Sequence, residues 1–530
     1  MTHYSKQKKT AGGLSWTPVL MALLLAVGVL LGMQFSKENP SITIINQDNS
    51  ENGLIVGKVD ELIRYIDAKY LEDLERDTLV NNAINKVLSS LDPHSSYIDN
   101  RQLVQIENRL NGSYKGIGLE FLVYKDTLLV TNVLDGGPAE ANGFKVGDKI
   151  LQINGDTVSG RGLKLRTVED IIAEQEDNAY TVVRKKVDGA VETVELSKKD
   201  ISLPSVLKGI LIADSIGYIK VNHFAQKTYY EFMSQLDTLS AQGMKHLVLD
   251  LRQNPGGYLT QATKILDQLF NREGRLLVYT EGRASKRQDY NTTGRNLFDV
   301  DQIAVLIDEG SASASEIIAG AIQDNDRGVV IGSKSYGKGL VQEQYRLSDG
   351  SALRLTVARY YTPSGRSIQK PYKEKSEDAD DANSLDSLSY FTSTGRSVNS
   401  GGGIMPDIIM NDQVLYDEEM MGSSLLSLFY ASNKHHVDKL VDWTDIPAFF
   451  AQDLNDEVKQ LLIQFIEAKE DRNVYSNQLD KLYLNLKMMI LERNVEHKEL
   501  QAYFIDQDEA VRKAISLVSD IEQMDEILGY

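Results

Sequence analysis

The chain has 530 residues, 42% hydrophobic and 25% charged, which excludes a wholly disordered polymer and leaves room for several cores. A net charge of -19 with no long basic cluster argues against nucleic acid as a partner. With no cysteine, the chain has no disulfides, thiolate metal sites or cysteine nucleophiles, so covalent catalysis must use Ser, Thr, Lys or a carboxylate.

Lys6, Lys8 and Lys9 precede a stretch without charge from Thr10 to Ser36, which holds PVLMALLLAVGVLLGM between Trp16 and Phe35. About 20 apolar residues cross a bilayer, with aromatic residues at its interfaces and lysines on the inner side. Residues 1–36 are therefore expected to form a cytoplasmic stub and a retained transmembrane anchor. The segment GMQFSKENP is a poor match to a cleavage site. The body is then expected in the periplasm, or otherwise outside the cytoplasm, on a single-pass tether to the cell membrane.

Residues 37–110 read as a polar linker followed by two helices, with Ile55, Val59, Leu62, Ile63 and Ile66, then Leu79, Ile84, Val87 and Leu91, at helical spacing. The turn Leu91-Asp92-Pro93-His94-Ser95-Ser96-Tyr97 ends them. Residues 111–199 form short β-rich runs such as TLLVTNV and KILQING, broken by glycines. Over 200–412, apolar strands (IGYIKV, HLVLDL, IAVLID, VVIG) alternate with helices, the pattern of a largely parallel sheet buried on both faces. The polar stretch 373–403 reads as a mobile insertion, and 413–530 as a helical region. The fold class is multidomain α+β.

Four segments carry candidate chemistry. Gly310-Ser311-Ala312-Ser313-Ala314-Ser315-Glu316 joins the strand IAVLID to the helix IIAGAI, so a serine there sits at a sheet edge beside helix amides. Ser313-x-x-Glu316 also reads as a capping box, and on this segment alone capping is favoured. None of the seven histidines stands in an obvious base context: His94 lies in a turn, His246 opens a buried strand, and His435, His436 and His497 fall in the tail. Lysine is the alternative, because burial lowers its pKa and yields a neutral amine. Lys338 lies in Ser335-Tyr336-Gly337-Lys338-Gly339-Leu340-Val341-Gln342, flanked by glycines that permit close backbone approach. In an extended segment Gln342 would share its face and orient the amine. The turn Asn254-Pro255-Gly256-Gly257 ends a buried strand, so the amide of Gly256 or Gly257, with that of Ala314, would suit an oxyanion. The loop Gly116-Ile117-Gly118-Leu119 offers consecutive amides to a carboxylate, and the next strand offers an edge to an added peptide.

Taken together, GxGLEF, GGPAEANGFKVGDKILQINGD, LDLRQNPGG, GSASASEIIAGAIQD, SYGKGLVQ, SDGSALRLTVARYYTPSGRSIQ and GGIMPD resemble, in order, the C-terminal processing peptidase (tail-specific protease) family. The resemblance runs from about Leu91 to Asp407. It implies a PDZ domain joined to a ClpP/crotonase-like protease core and a Ser-Lys mechanism, with Ser313 as nucleophile, Lys338 as general base and Gln342 orienting the lysine. The glycine turn and Ala314 match the oxyanion positions. One feature departs from the family: AEQEDNAYTVVRKK stands where an Arg-Gly-x-x-Gly-Thr turn often precedes the last PDZ strand, which puts in doubt the gating that some members route through that arginine. The expected activity is endoproteolysis of exported or membrane proteins captured by a free C-terminus, with no cofactor or metal, as a homo-oligomer or with an adaptor. A non-catalytic PDZ scaffold would have been expected to lose Ser313, Lys338 or Gln342. A crotonase-type acyl-CoA enzyme would not explain the PDZ domain or the anchor.

Overall fold

Alternation of Leu247, Val248 and Leu249 along one strand sends apolar side chains to both sides of a sheet, and both sides are covered in this computed structural model. It describes residues 52–160, 179–213, 215–371, 389–399, 402–410, 424–470, 476–495 and 497–530. The expected anchor lies outside them. Among the described residues no helix is long and apolar enough to cross a membrane. The chain divides into two compact units, Met1–Asn82 and Ala83–Tyr530. Helix α1 (Asn52–Lys69) falls in the first, and α2 (Arg76–Ser89) runs from it into the second.

The second unit opens with the short strand β1 (Ser96–Ile98) and α3 (Asn100–Asn111), capped by the Asp99 carboxylate and closed by Gly112 in the left-handed conformation. A β-rich domain follows: β2 (Ser113–Gly116), β3 (Leu119–Tyr124), β4 (Thr127–Val133), the turn helix α4 (Pro138–Ala141), β5 (Lys149–Ile153), β6 (Asp156–Thr157), β7 (Ala179–Lys185), β8 (Val191–Ser197) and β9 (Lys199–Ser202). Strands β3-β4-β5-β7-β8 form an antiparallel sheet, with β6 on β5. The first and last strands, β2 and β9, pair with each other, so the domain's entry and exit lie side by side. Its core is Leu128, Val130, Ile150, Tyr180, Val182 and Leu196.

Next come β10 (Ile210–Ile212), β11 (Ile216–Lys220), α5 (Thr228–Ala241), β12 (His246–Asp250), α6 (Leu259–Leu269), β13 (Glu273–Glu281), β14 (Gln288–Thr293), β15 (Ile303–Ile307), α7 (Ala314–Asp324), β16 (Val329–Gly332), β17 (Leu340–Arg346), β18 (Ala352–Tyr361), a hairpin of β19 (Tyr390–Phe391) and β20 (Ser397–Val398), and β21 (Ile408–Ile409). The order β10-β11-β12-β15-β16-β21 makes a six-stranded sheet, parallel apart from β10. A second, antiparallel sheet, β1-β18-β13-β14 with β17 on β18, stands beside it. Part of the expected mobile insertion is otherwise: residues 389–399 form a hairpin whose Arg396 pairs with Asp326 and Asp407 at 2.7 Å each. Residues 373–388 and 400–401 of it lie outside the described residues.

The tail comprises α8 (Ser424–Leu440), α9 (Ile446–Ala451), α10 (Asp456–Glu470), α11 (Ser476–Glu492), α12 (His497–Gln507), α13 (Glu509–Ser519) and α14 (Ile521–Leu528). Its two ends do different work. Leu426, Phe429, Val458 and Leu462 pack on Leu129 and Val146 of the β-rich domain, whereas Val511, Ala514, Leu517 and Met524 cover one face of the parallel sheet at Val248, Ala304 and Leu306. Helices α5, α6 and α7 cover the other face.

Candidate active site

The loop between β15 and α7 turns sharply at Ser313, whose φ of 55° is one that a non-glycine residue rarely holds without cause. The cause is a close contact with the glycine turn after β12. A β-carbon on Gly256 would come within 2.7 Å of Ser313 Cβ and 3.0 Å of the Ala314 nitrogen, so only glycine fits there. Gly257, at φ 146°, is pressed as closely against the Phe224 carbonyl. The two loops are also joined by hydrogen bonds: the Ala312 N–H and the Ser315 hydroxyl both donate to the Asn254 carbonyl at 2.9 Å. The two candidate glycines differ in one respect. The Gly256 N–H donates to Asn254 Oδ1 at 2.9 Å, while the N–H groups of Gly257 and Ala314 have no acceptor among the described residues.

Glu316 joins the serine loop to the lysine segment. Its buried carboxylate accepts the Ser313 N–H at 2.8 Å, which is the return half of the expected capping box. The same carboxylate accepts the Lys338 N–H at 2.8 Å, the Gly337 N–H at 2.7 Å and the Ser335 hydroxyl at 2.6 Å. Burial pushes its pKa up, and these four donors oppose the shift. Glu316→Gln should therefore set an amide NH2 against N–H donors and loosen both segments. We expect a loss of about 100-fold in kcat with a smaller change in KM, measured on a short peptide.

Glycines on either side of Lys338 allow the close approaches expected there: a β-carbon on Gly337 would meet the Gly402 carbonyl carbon at 2.8 Å, and one on Gly339 the Gln369 nitrogen at 2.9 Å. Burial is the main cause that lowers the Lys338 pKa; the positive charge of Arg354 adds to it and Glu316 opposes it. The Tyr360 hydroxyl donates to the Lys338 carbonyl. Desolvation holds this phenol protonated, well above its usual range.

Gln342 differs from the expectation. The register of β17 on β18 shifts between Val341 and Gln342, with the extra residue, Val357, on β18, and Gln342 Nε2 donates to the His94 carbonyl at 2.7 Å. Its amide makes no described bond to the lysine amine. His94, which the sequence places in a turn, is thereby brought to the site on the loop before β1. That turn is built by Asp92, which accepts the His94 and Ser95 N–H groups at 2.8 and 2.7 Å. Desolvation and then the Lys338 charge lower the His94 pKa, against the pull of Asp92, so the ring is biased toward its neutral form.

In the β-rich domain, Ile117 and Leu119 bury their side chains in the core, which leaves only their backbone for a ligand. The Ile117 and Gly118 carbonyls accept the Ala139 and Leu134 N–H groups at 2.9 and 3.0 Å. Gly118 has φ 78° with Gly137 Cα 3.1 Å from where a β-carbon would stand, and the Tyr114 ring lies against Gly116. A cavity of about 1940 Å³ separates this domain from the core and the tail, and Phe144, Lys145, Asp250, Arg252, Lys434 and Asp508 are among its lining. Among the described residues no cluster of His, Asp and Glu has metal-binding geometry.

Residues 215–377 match the model of peptidase family S41, and residues 103–177 match that of the PDZ domain. The carboxy-terminal-processing protease of Bartonella bacilliformis is 34% identical over 357 residues, which cover 66% of this chain and 80% of that protein. This chain belongs to peptidase family S41. It is a serine-type peptidase of the C-terminal processing group, with a PDZ domain. The carboxy-terminal processing protease CtpB of Bacillus subtilis is 29% identical over 366 residues, 66% of this chain and 75% of that protein. A probable CtpA-like serine protease of Staphylococcus aureus is 27% identical over 487 residues, 88% of this chain and 92% of that protein.

Proposed function

We propose that this S41 peptidase captures the free C-terminus of an exported or membrane protein in its PDZ domain and cleaves the bound chain by a Ser-Lys acyl-enzyme mechanism. The observation that carries the reading is the Glu316 carboxylate, which holds the backbones of Ser313 and Lys338 together at 2.8 Å each. Lys338, as the neutral amine, takes the Ser313 proton while Oγ attacks the peptide carbonyl, and the N–H groups of Gly257 and Ala314 stabilise the oxyanion. The lysine ammonium then protonates the departing amine, leaving an ester on Ser313. Water, deprotonated by the same amine, releases the acid and restores the serine. Gln342 contributes by holding the His94 turn beside the amine, and Gly256 by its fit against Ser313. No step calls for a metal or an organic cofactor.

The charge-free stretch after Lys9 supports a membrane anchor with the catalytic body outside the cytoplasm, and assembly as a homo-oligomer or with an adaptor belongs to the same proposal. Tail capture has a direct test. Amidating a substrate's C-terminus removes the carboxylate that the amides around Gly116 to Leu119 would bind, and should raise KM about tenfold or more while leaving kcat within about twofold. Gly118→Val, strained by its φ and crowded by Gly137, should do the same to a free-acid substrate. Equal KM for free-acid and amidated peptides would remove the tail-capture reading.

A further inference from the structure

The turn that carries Gly256 and Gly257 is a strained piece of backbone, with φ of 60° at Gln253, 97° at Gly256 and 146° at Gly257. Such a turn keeps its shape only if its surroundings hold it. From the core, Asp308 accepts the Gln253 N–H at 2.9 Å and its side-chain amide at 2.8 Å, while Asn254 Nδ2 donates to the Val221 carbonyl at 2.7 Å.

The Phe224 N–H also donates to the Gly256 carbonyl at 2.9 Å, and a further anchor is Arg252, the first residue of the turn. Its Nε donates to Asp250 Oδ1 at 3.0 Å, and its Nη2 lies 2.6 Å from Asp250 Oδ2 and 2.7 Å from Asp508 Oδ2. Asp250 is buried, and Tyr218 donates to it at 2.7 Å. Asp508 comes from the far end of the chain, where it is the N-cap of α13 and its other oxygen accepts the Val511 N–H at 3.0 Å. One carboxylate therefore fixes a tail helix with one oxygen and the Arg252 fork with the other. Helix α13 itself is sealed to the parallel sheet by Val511, Ala514 and Leu517, so the anchor is rigid.

We propose that Asp508 is a positioning residue for the oxyanion hole: through Arg252 it sets where the Gly257 N–H points, and the C-terminal helical region thereby completes the active site. The pair is partly shielded from water and charge-assisted, and it acts on a group only five residues away along a strained turn. The inference rests on the reading of Ser313 as nucleophile and Gly257 as an oxyanion donor.

Asp508→Asn in the full-length chain isolates the effect, because Asn caps a helix about as well as Asp but has no charge to hold the guanidinium. With a short amidated peptide, so that tail capture is not limiting, kcat should fall about tenfold, with KM within about twofold and the thermal midpoint within about 2 °C. Arg252→Lys, which keeps the charge and loses the fork, should fall in the same direction. A peptide boronate, whose tetrahedral adduct on a serine places an oxygen in the oxyanion hole, should lose affinity in parallel with kcat/KM across both variants. Unchanged kcat in Asp508→Asn, or a loss confined to KM or tracking a lower thermal midpoint, would overturn the proposal. If the boronate does not inhibit the wild-type protein, the Ser313 reading fails, and this inference fails with it.

Discussion

Replacing Ser313 by Ala should reduce peptide cleavage by at least about 10⁴-fold, because in the proposed mechanism its hydroxyl oxygen forms the bond to the substrate and no other group in the site replaces it. The competing view, that Ser313 only caps α7, predicts a different result. A lost cap costs at most about 1 to 2 kcal/mol, and the half of the capping box supplied by the Glu316 carboxylate to the Ser313 N–H survives the substitution. The mutant should therefore fold, bind a free-acid peptide as the parent does, and fail only in turnover. Retained cleavage in the purified variant would make Ser313 a structural residue.

The second large effect concerns the base. Burial, reinforced by Arg354, lowers the Lys338 pKa below its ordinary 10.5, so the neutral amine that can accept a proton becomes populated at lower pH. Activity should rise with pH, tenfold per unit, until the lysine has lost its proton, and then level off below pH 10.5. Arg354→Gln removes a neighbouring positive charge and should move that rising limb to higher pH. Lys338→Arg should lose on the order of 10³-fold at every pH, since a guanidinium stays protonated. The stability sign follows from the same shift. Between the lowered folded pKa and 10.5 the unfolded chain holds more protons than the folded one, so stability contributed by this site rises with pH across that window. Below it, the buried ammonium opposes folding. Lys338→Met should thus be inactive yet melt no lower than the parent near neutral pH. A flat pH profile, or a partly active Lys338→Arg, would make the lysine a fixed charge rather than a base.

How far the sequence reveals this site depends on the range of each contact. The parallel sheet was legible because strands such as HLVLDL and IAVLID are apolar on both faces, and the strand-to-helix junction placed Ser313 without any structure. The loop Gly116–Leu119 reads by itself as no more than a glycine-rich β-turn and is marked as part of a PDZ domain only by the family resemblance; the side chains of Ile117 and Leu119 turn inward. Glu316 was legible only as the third position of a capping box. Its bonds to Ser335, Gly337 and Lys338 join residues about 20 positions away, and local spacing carries no trace of them. Nothing in ARYYTP marks Tyr360, for the same reason. Gln342 illustrates a different difficulty: residue counting places a side chain on a strand face but does not name its partner, and its amide bonds the His94 carbonyl, 248 positions away along the chain. The turn of His94 reads as a helix stop, and it is the pairing of β1 with β18 and the bond from Gln342 that bring it to the site. The tail posed the widest problem. Apolar stripes identify helices but not their partners, so nothing in the stripe of α13 distinguishes a separate helical region from the cover of the catalytic sheet.

The central claim is covalent: the acyl group of the substrate passes through Ser313. Mixing the enzyme with a short peptide ester, quenching in acid within the first turnovers and mapping the mass increase to a peptide fragment tests it most directly. The account predicts an adduct equal to the acyl half of the substrate on the fragment that bears Ser313, absent from Ser313→Ala and longer-lived at low pH, where Lys338 is protonated and deacylation slows. Turnover without any adduct at burst times, or an adduct on another residue, would contradict it.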